Sequence, residues 1–381
     1  MNIILSVDPV KFPLTGIGRY AYELARRLQE TPEVESLKFF SGTNFLPVLP
    51  APSDGAGKQH SLKRAVQKSY IAVEAYRLLM PYFRSRALRD YGNFLYHSPN
   101  YYLPPFAGYS IATFHDLSPF TWPHCHAPQL ARYLRKELKT TLLRADALIT
   151  DSEYTRRELA EYFSWPIEKI YTVPLASSIE FYPRDLDTLR EPLSRYGLEA
   201  DGYSLFVGTI EPRKNIETLL DAYSQLPIEL RKRWPLILTG YHGWQNERIH
   251  ERLENAKREG WACYLGFVPS EDLPFLFAGA RLFTFPSLYE GFGLPVLEAM
   301  SSGVPVVCSS SSSLPEVAGG AALMCEAMDV DVLAELIHRG LVDEVWRSIA
   351  IARGIQHASA FSWDRCAMET VQVYRQVIKG R

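Results

Sequence analysis

The stretch from Arg281 to Met300 permits few local folds. Arg281-Leu282-Phe283-Thr284-Phe285 is short, apolar and aromatic, and Pro286 stops it, so it reads as a buried strand. Gly291-Phe292-Gly293 follows, and Leu294 and Pro295 then open a helix, since proline loses nothing in a first helical turn. A strand, a glycine loop and a helix N-terminus in succession gather amides and the positive end of a helix dipole, which suits a phosphate. Glu290 stands just before the loop and Glu298 one to two turns into the helix. A carboxylate beside an anion would repel it, so the two glutamates read better as facing hydroxyls, which points to a sugar nucleotide. The same letters also describe a plain turn with two solvated glutamates. What the chain brings to its other strand ends decides between these readings.

At 381 residues the chain is too long for one ordinary core and suggests two domains. A net charge of −2 argues against a general nucleic-acid binder. The five cysteines are scattered without a CxxC pair, which fits reduced core thiols in a cytoplasmic protein. Met1 to Asp8 lacks the basic start and long apolar run of a signal peptide, and no apolar run approaches the roughly 20 residues of a membrane span.

Short apolar runs alternate with amphipathic segments throughout, as in doubly wound α/β folds. Ile3 to Val7 is the first strand. Gly16-Ile17-Gly18 and a helix through Leu28 come next. These glycines lie too far past the strand for a dinucleotide fingerprint, and Ser41-Gly42 stands where the ribose-binding acid belongs, so a flexible loop over a ligand is the better reading. Residues 43–60 read as a loop. Residues 58–90 carry eight basic residues against two acidic ones, interleaved with aromatics. That is either an anionic-membrane surface or a solvated helix face. His115 and Asp116 stand at a strand end, where ligands of open sheets bind. His124 and His126 lack a fourth ligand and read as a surface loop. Residues 185–202, charged and holding Pro192, read as a linker.

The alternation restarts at Tyr203. Gly208 ends a strand, and Arg213 and Lys214 follow it at a helix start, placed to hold a diphosphate: Arg as a fork, Lys as a point charge. Phe267 and Val268 end a later strand and can present backbone groups to a base edge. The helix from about Trp363 closes the chain. His115, Asp116, Gly16, Arg213, Lys214, Glu290 and Glu298 all fall at strand ends or helix starts, and that coincidence outweighs any single motif.

With these residues assembled, the chain resembles the retaining GT-B glycosyltransferases that carry two glutamates with seven residues between them. The resemblance rests on Glu290 and Glu298 in PSLYEGFGLPVLEAM, with GTIEPRKN (208–215), TGIGRY (15–20), FHD (114–116) and SSLPEVAGGAALM (312–324). It implies an α/β fold of two Rossmann-like domains facing across a cleft: 1–184, a linker at 185–202, and a nucleotide-sugar domain at 203–362, with residues 363–381 returning to the first domain. It implies that Glu290 contacts the donor sugar and Glu298 the ribose, and that Arg213 and Lys214 hold the diphosphate. The amides of Gly291, Phe292, Gly293 and Leu294 would assist, Gly16 and Gly18 would lie under the diphosphate, and His115 would stand near the reactive carbon. No cofactor and no metal are implied; Asp185-Leu186-Asp187 and Asp329-Val330-Asp331 fall in the linker and at a helix start. The subfamily resembled most is that of bacterial mannosyltransferases extending O-antigen from GDP-mannose, with a lipid-linked or polysaccharide acceptor, in the cytoplasm or peripheral on the inner membrane face. A UDP-sugar donor, a GT-B-like epimerase and a non-enzymatic binding subunit are the competing readings. Pro174-Leu175-Ala176 and Gly319-Gly320 depart from the family pattern, away from the diphosphate residues.

Overall fold

The computed structural model describes residues 1–14, 16–51, 70–126 and 128–380. It divides into two compact units, one of residues 1–175 with 363–381 and one of residues 176–362. The first unit holds, among the described residues, strands β1 (Asn2–Ser6), β2 (Ser36–Ser41), β3 (Asn44–Leu46), β4 (Leu95–Ser98), β5 (Tyr109–Phe114), β6 (Ala147–Thr150) and β7 (Ile170–Thr172). Their order is β3-β2-β1-β4-β5-β6-β7, with only β3 antiparallel. The second unit holds β8 (Ser204–Val207), β9 (Leu236–Thr239), β10 (Ala262–Tyr264), β11 (Leu282–Phe285), β12 (Val306–Ser309) and β13 (Leu323–Cys325), ordered β10-β9-β8-β11-β12-β13 and all parallel. Helices cover both faces of a parallel sheet, so its strands are apolar on both sides. The fully buried β4, β6, β9, β11 and β12 show this.

In each sheet the connections wind outward in both directions from a central pair, β1 with β4 and β8 with β11. Ligands of open α/β sheets bind beyond the carboxyl ends of such a pair.

Several local expectations are corrected. Residues 186–194 form a helix rather than a linker: Asp185 caps it by accepting the Thr188 amide at 2.8 Å, and Leu189 and Leu193 are buried. This segment belongs to the second unit, as does Phe181, whose ring meets Phe277 edge-on at 5.3 Å. Gly16 and Gly18 begin the helix Gly16–Glu30 and do not form a flexible loop. A Cβ on Gly18 would lie 2.8 Å from the Pro9 carbonyl oxygen, so close backbone approach requires glycine there. Within the expected loop at 43–60, Asn44–Leu46 pairs as β3 after a turn at Gly42 (φ +61°). Ser152 caps the helix Glu153–Phe163, accepting the Thr155 amide at 3.1 Å.

The basic stretch at 58–90 lies partly outside the described residues. The helix Tyr70–Leu88 is described, and Arg84 on it is not a surface cation. It is buried, donates to Asp8 at 2.8 Å, and lies 4.7 Å from the Tyr102 ring centre. Asp8 also accepts the Gly42 amide at 2.7 Å, so the pair ties this helix to the ends of β1 and β2.

The helix Trp363–Lys379 packs on Gly16–Glu30 within the first unit. Buried His97 links the two regions, with Nδ1 at 2.7 Å from the Tyr374 hydroxyl and Nε2 at 2.9 Å from the Thr113 hydroxyl. Burial lowers the His97 pKa to about 3, so it is a neutral structural histidine. At the surface Arg27 reaches Asp364 at 2.7 Å and Arg375 reaches Glu33 at 2.6 Å.

Candidate active site

In the second unit the side chains converge beyond the ends of β8 and β11. After β8 the chain makes one tight turn at Pro212–Lys214, and Asn215 takes a left-handed conformation (φ +57°) before the helix Ile216–Gln225. The Asn215 side-chain amide reaches the carbonyls of Pro286 at 3.0 Å and Ala327 at 2.6 Å. The Leu288 amide donates to the Arg213 carbonyl at 2.9 Å. The β8 and β11 loops are therefore laced together, which fixes Arg213 and Lys214 against Glu290.

The charges form a closed set. Lys214 Nζ lies 2.5 Å from Glu290 Oε1, and Arg213 Nη1 lies 3.2 Å from Glu290 Oε2. Arg213 Nη1 also donates to the Tyr289 carbonyl at 2.8 Å, while Nη2 reaches Glu211 Oε1 at 2.8 Å. Glu290 and Lys214 are each only 8% exposed, and Glu211 is buried too. Burial alone would raise the Glu290 pKa, but Lys214 and Arg213 outweigh it and hold the carboxyl below its usual range. Burial, aided by Arg213, draws the Lys214 pKa below its ordinary value against the pull of Glu290. The two cations, expected to hold a diphosphate, are engaged here by two carboxylates, Glu290 and Glu211. The sequence reading did not single out Glu211, although it stands two residues from Arg213.

The loop after Glu290 is set by backbone. Gly293 has φ +108°, and a Cβ there would lie 2.6 Å from Leu314 Cδ2, so glycine is required on both counts. Leu294 and Pro295 open the helix Leu294–Ser301, as expected. Two serines from the loop after β12 hold this loop, and neither was expected. Ser312 Oγ accepts the Glu290 amide at 2.8 Å, and Ser313 Oγ lies 2.9 Å from the Glu290 carbonyl and 2.7 Å from that of Phe292. Gly291 and Phe292 are buried, and Glu298 is half-buried on the helix. Gly208 follows β8, its amide donating to Thr239 at 2.9 Å. Val268 is buried, while Phe267 is 47% exposed with its ring 4.8 Å from that of Tyr241.

In the first unit His115 stands at the end of β5 with both ring nitrogens engaged: Nδ1 at 2.7 Å from Asp151 Oδ2 and Nε2 at 2.9 Å from the Pro99 carbonyl. A carbonyl only accepts, so Nε2 carries hydrogen, and the Nδ1–Oδ2 contact needs one more proton between its partners. Burial lowers the His115 pKa, but the charge and hydrogen bond of Asp151 more than reverse this, and the net shift is upward. Burial raises Asp151, with His115 opposing. Asp151 Oδ1 is buried without a hydrogen-bond partner among the described residues, which accounts for the cost of its charge. Asp151, which the sequence reading did not single out, thus sets where the histidine's proton lies. Asp116 accepts the amide and hydroxyl of Ser118 at 3.0 and 2.8 Å, and the His126 ring reaches that same hydroxyl at 2.9 Å. Asp185 and Asp329, the two DxD candidates, each accept a helix-start amide.

Two doubly wound units, each with polar side chains beyond its strand ends, make this a GT-B protein. The structure matches sucrose-phosphate synthase from Thermosynechococcus elongatus with a TM-score of 0.74 at 23% identity, covering 100% of both chains. It matches Anabaena HepE in complex with UDP-glucose at 0.71 and 17% identity, covering 100% of this chain and 99% of that one. The chain belongs to the glycosyltransferases: residues 14–179 match Glycosyltransferase Family 4 and residues 195–356 match Glycosyl transferases group 1. It is similar to the O-antigen chain mannosyltransferase B of Escherichia coli, 46% identical over 379 residues, covering 98% of this chain and 100% of that one. A 243-residue stretch is 33% identical to the serotype-specific mannosyltransferase WbdA of Escherichia coli, covering 62% of this chain and 29% of that protein.

Proposed function

We propose that this glycosyltransferase moves a mannosyl unit from GDP-mannose to an O-antigen-type glycan, with retention at the anomeric carbon. The observation that carries the reading is the 46% identity to an O-antigen chain mannosyltransferase along essentially the whole chain. The charge cluster beyond β8 and β11 gives it chemistry. Arg213 and Lys214 stabilise the negative charge that grows on the departing diphosphate as the sugar–oxygen bond breaks. Glu290 accepts hydrogen bonds from the donor sugar's hydroxyls, and Glu298 from the ribose. The acceptor hydroxyl adds to the carbon from the face the leaving group vacates, and its proton passes to a phosphate oxygen of that group.

The test is transfer of labelled mannose from GDP-mannose, with UDP-glucose as competitor donor and EDTA present. Transfer from GDP-mannose, unchanged by EDTA and giving an α-linked product by NMR, is the expected result. Use of the UDP sugar alone, or release of an epimerised sugar nucleotide without acceptor, would overturn the reading.

No helix among the described residues is long and apolar enough to cross a membrane. We assign membrane contact instead to the exposed Leu79, Tyr82 (63% exposed) and Phe83, beside exposed Arg86 and Arg89. Replacing both Arg86 and Arg89 by Ser is expected to leave stability unchanged and to weaken co-sedimentation with phosphatidylserine vesicles. Arg84→Ser, which strips Asp8 of its cationic partner and leaves it the Gly42 amide, is expected to cost about 1–3 kcal/mol in chemical denaturation. Unchanged vesicle binding in the double variant would remove the surface role.

A further inference from the structure

Arg213 and Lys214 are not idle cations. Both are engaged by Glu290, at 3.2 and 2.5 Å, in a buried set whose formal charges, with Glu211, cancel. An anion that takes both cations competes with the Glu290 carboxylate for their charge and their donors, and a buried carboxylate that loses such partners is costly. The cost depends on the ligand. A nucleoside diphosphate brings oxygens for Arg213 and Lys214, and its ribose hydroxyls go to Glu298, so, like pyrophosphate, it lacks the donor sugar's hydroxyls that would receive Glu290. A sugar nucleotide brings the same oxygens together with hydroxyl donors.

From this we infer that Glu290 is a specificity-determining residue, discriminating between the loaded donor and the spent nucleoside diphosphate by competing with phosphate for Arg213 and Lys214. The inference rests on the proposed use of a sugar nucleotide. The carboxylate penalises the product, and sugar hydroxyls relieve the penalty. After transfer, the sugar leaves Glu290 without partners, the carboxylate reclaims the cations, and product release is assisted. The loop supports such a localised exchange: Ser312 and Ser313 hold the backbone of Glu290 by its amide and carbonyl, and neither bond uses the side chain.

Glu290→Gln keeps shape and an acceptor oxygen for Lys214 while removing the competing charge. Calorimetry with GDP, GDP-mannose, UDP and UDP-glucose, on parent and variant, tests the inference. The expected result is a dissociation constant for the free diphosphate that is about tenfold tighter in the variant, as when one favourable charge interaction no longer has to be broken. The constant for the sugar nucleotide is expected to tighten less or to weaken, so the donor-over-product preference collapses. A merely structural glutamate would not move that ratio. Glu290→Asp, which keeps the charge but draws it back from Lys214, should shift the ratio in the same direction by less, and serves if the Gln variant does not fold. Free diphosphate bound no more tightly by the folded variants would overturn the inference alone. A parent that binds none of the four ligands would instead overturn the proposed function, and the inference with it.

Discussion

Lys214→Met is expected to lower kcat/KM for mannosyl transfer by about 10²–10³-fold, the usual cost of removing one preorganised group aimed at developing negative charge. Lys214 sits 2.5 Å from Glu290 and its ammonium lies 5.0 Å from the Phe285 ring centre, so its position is set from two sides. The same change leaves the buried Glu290 with Arg213 alone, and a stability loss of about 3–5 kcal/mol is expected. The pH dependence carries a further sign. In the parent the Glu290 pKa is depressed by Lys214 and Arg213 against burial. Its stabilising contribution is therefore complete above the ordinary glutamate value of about 4.3 and disappears as pH falls through the lower folded value. In the variant burial meets less opposition, so this protection against acid shrinks. Steady-state kinetics beside urea titrations at pH 7 and 4 measure both effects. A folded Lys214→Met enzyme with near-parent kcat/KM would remove Lys214 from diphosphate handling.

Asp151→Asn should lower the His115 pKa, because it deletes the adjacent opposite charge that holds the value up. Burial, now weakly opposed, then governs, and the histidine is neutral at pH 7. The parent's raised value sets the sign of the stability effect. Its contribution is fully present below the ordinary histidine value of about 6.5 and is lost as pH rises through the folded value. Above about pH 6.5 the parent should thus lose stability as pH rises, and the variant should lack that slope. Imidazole titration by NMR, with urea unfolding from pH 6 to 9, measures both. An unchanged imidazole titration would show that Asp151 does not hold the proton.

Much of this was legible in the sequence, for a physical reason. Strands of a parallel sheet are buried on both faces, so β6, β9, β11 and β12 appear as short apolar runs, and the turn after each marks a ligand-facing end. Gly208, Arg213 and Lys214 after β8, and Glu290 after β11, were assigned to strand ends in the same way. What was hidden depends on contacts between residues far apart in the chain. Glu290 and Lys214 are 76 positions apart, so their pairing leaves no local pattern. Arg84 lies in a basic run and looks solvated until Asp8, also 76 positions away, is brought to it. The helix at 186–194 was obscured because it buries few apolar residues, Leu189 and Leu193 among them, and contains Pro192. Asp151 was not singled out because its histidine partner, 36 positions away, comes from a different strand end.

The return of Trp363–Lys379 to the first unit has a consequence for synthesis. Residues 176–362 are continuous and can close their sheet as soon as they leave the ribosome. Residues 1–175 emerge earlier but must wait for their last helix, roughly ten to forty seconds at ordinary elongation rates. During that wait His97 and Tyr20 lack the Tyr374 and Trp363 rings that meet them in the finished protein. The half made first is thus completed last, and a nascent chain stalled before residue 363 would leave uncovered the side of Gly16–Glu30 on which Trp363–Lys379 packs.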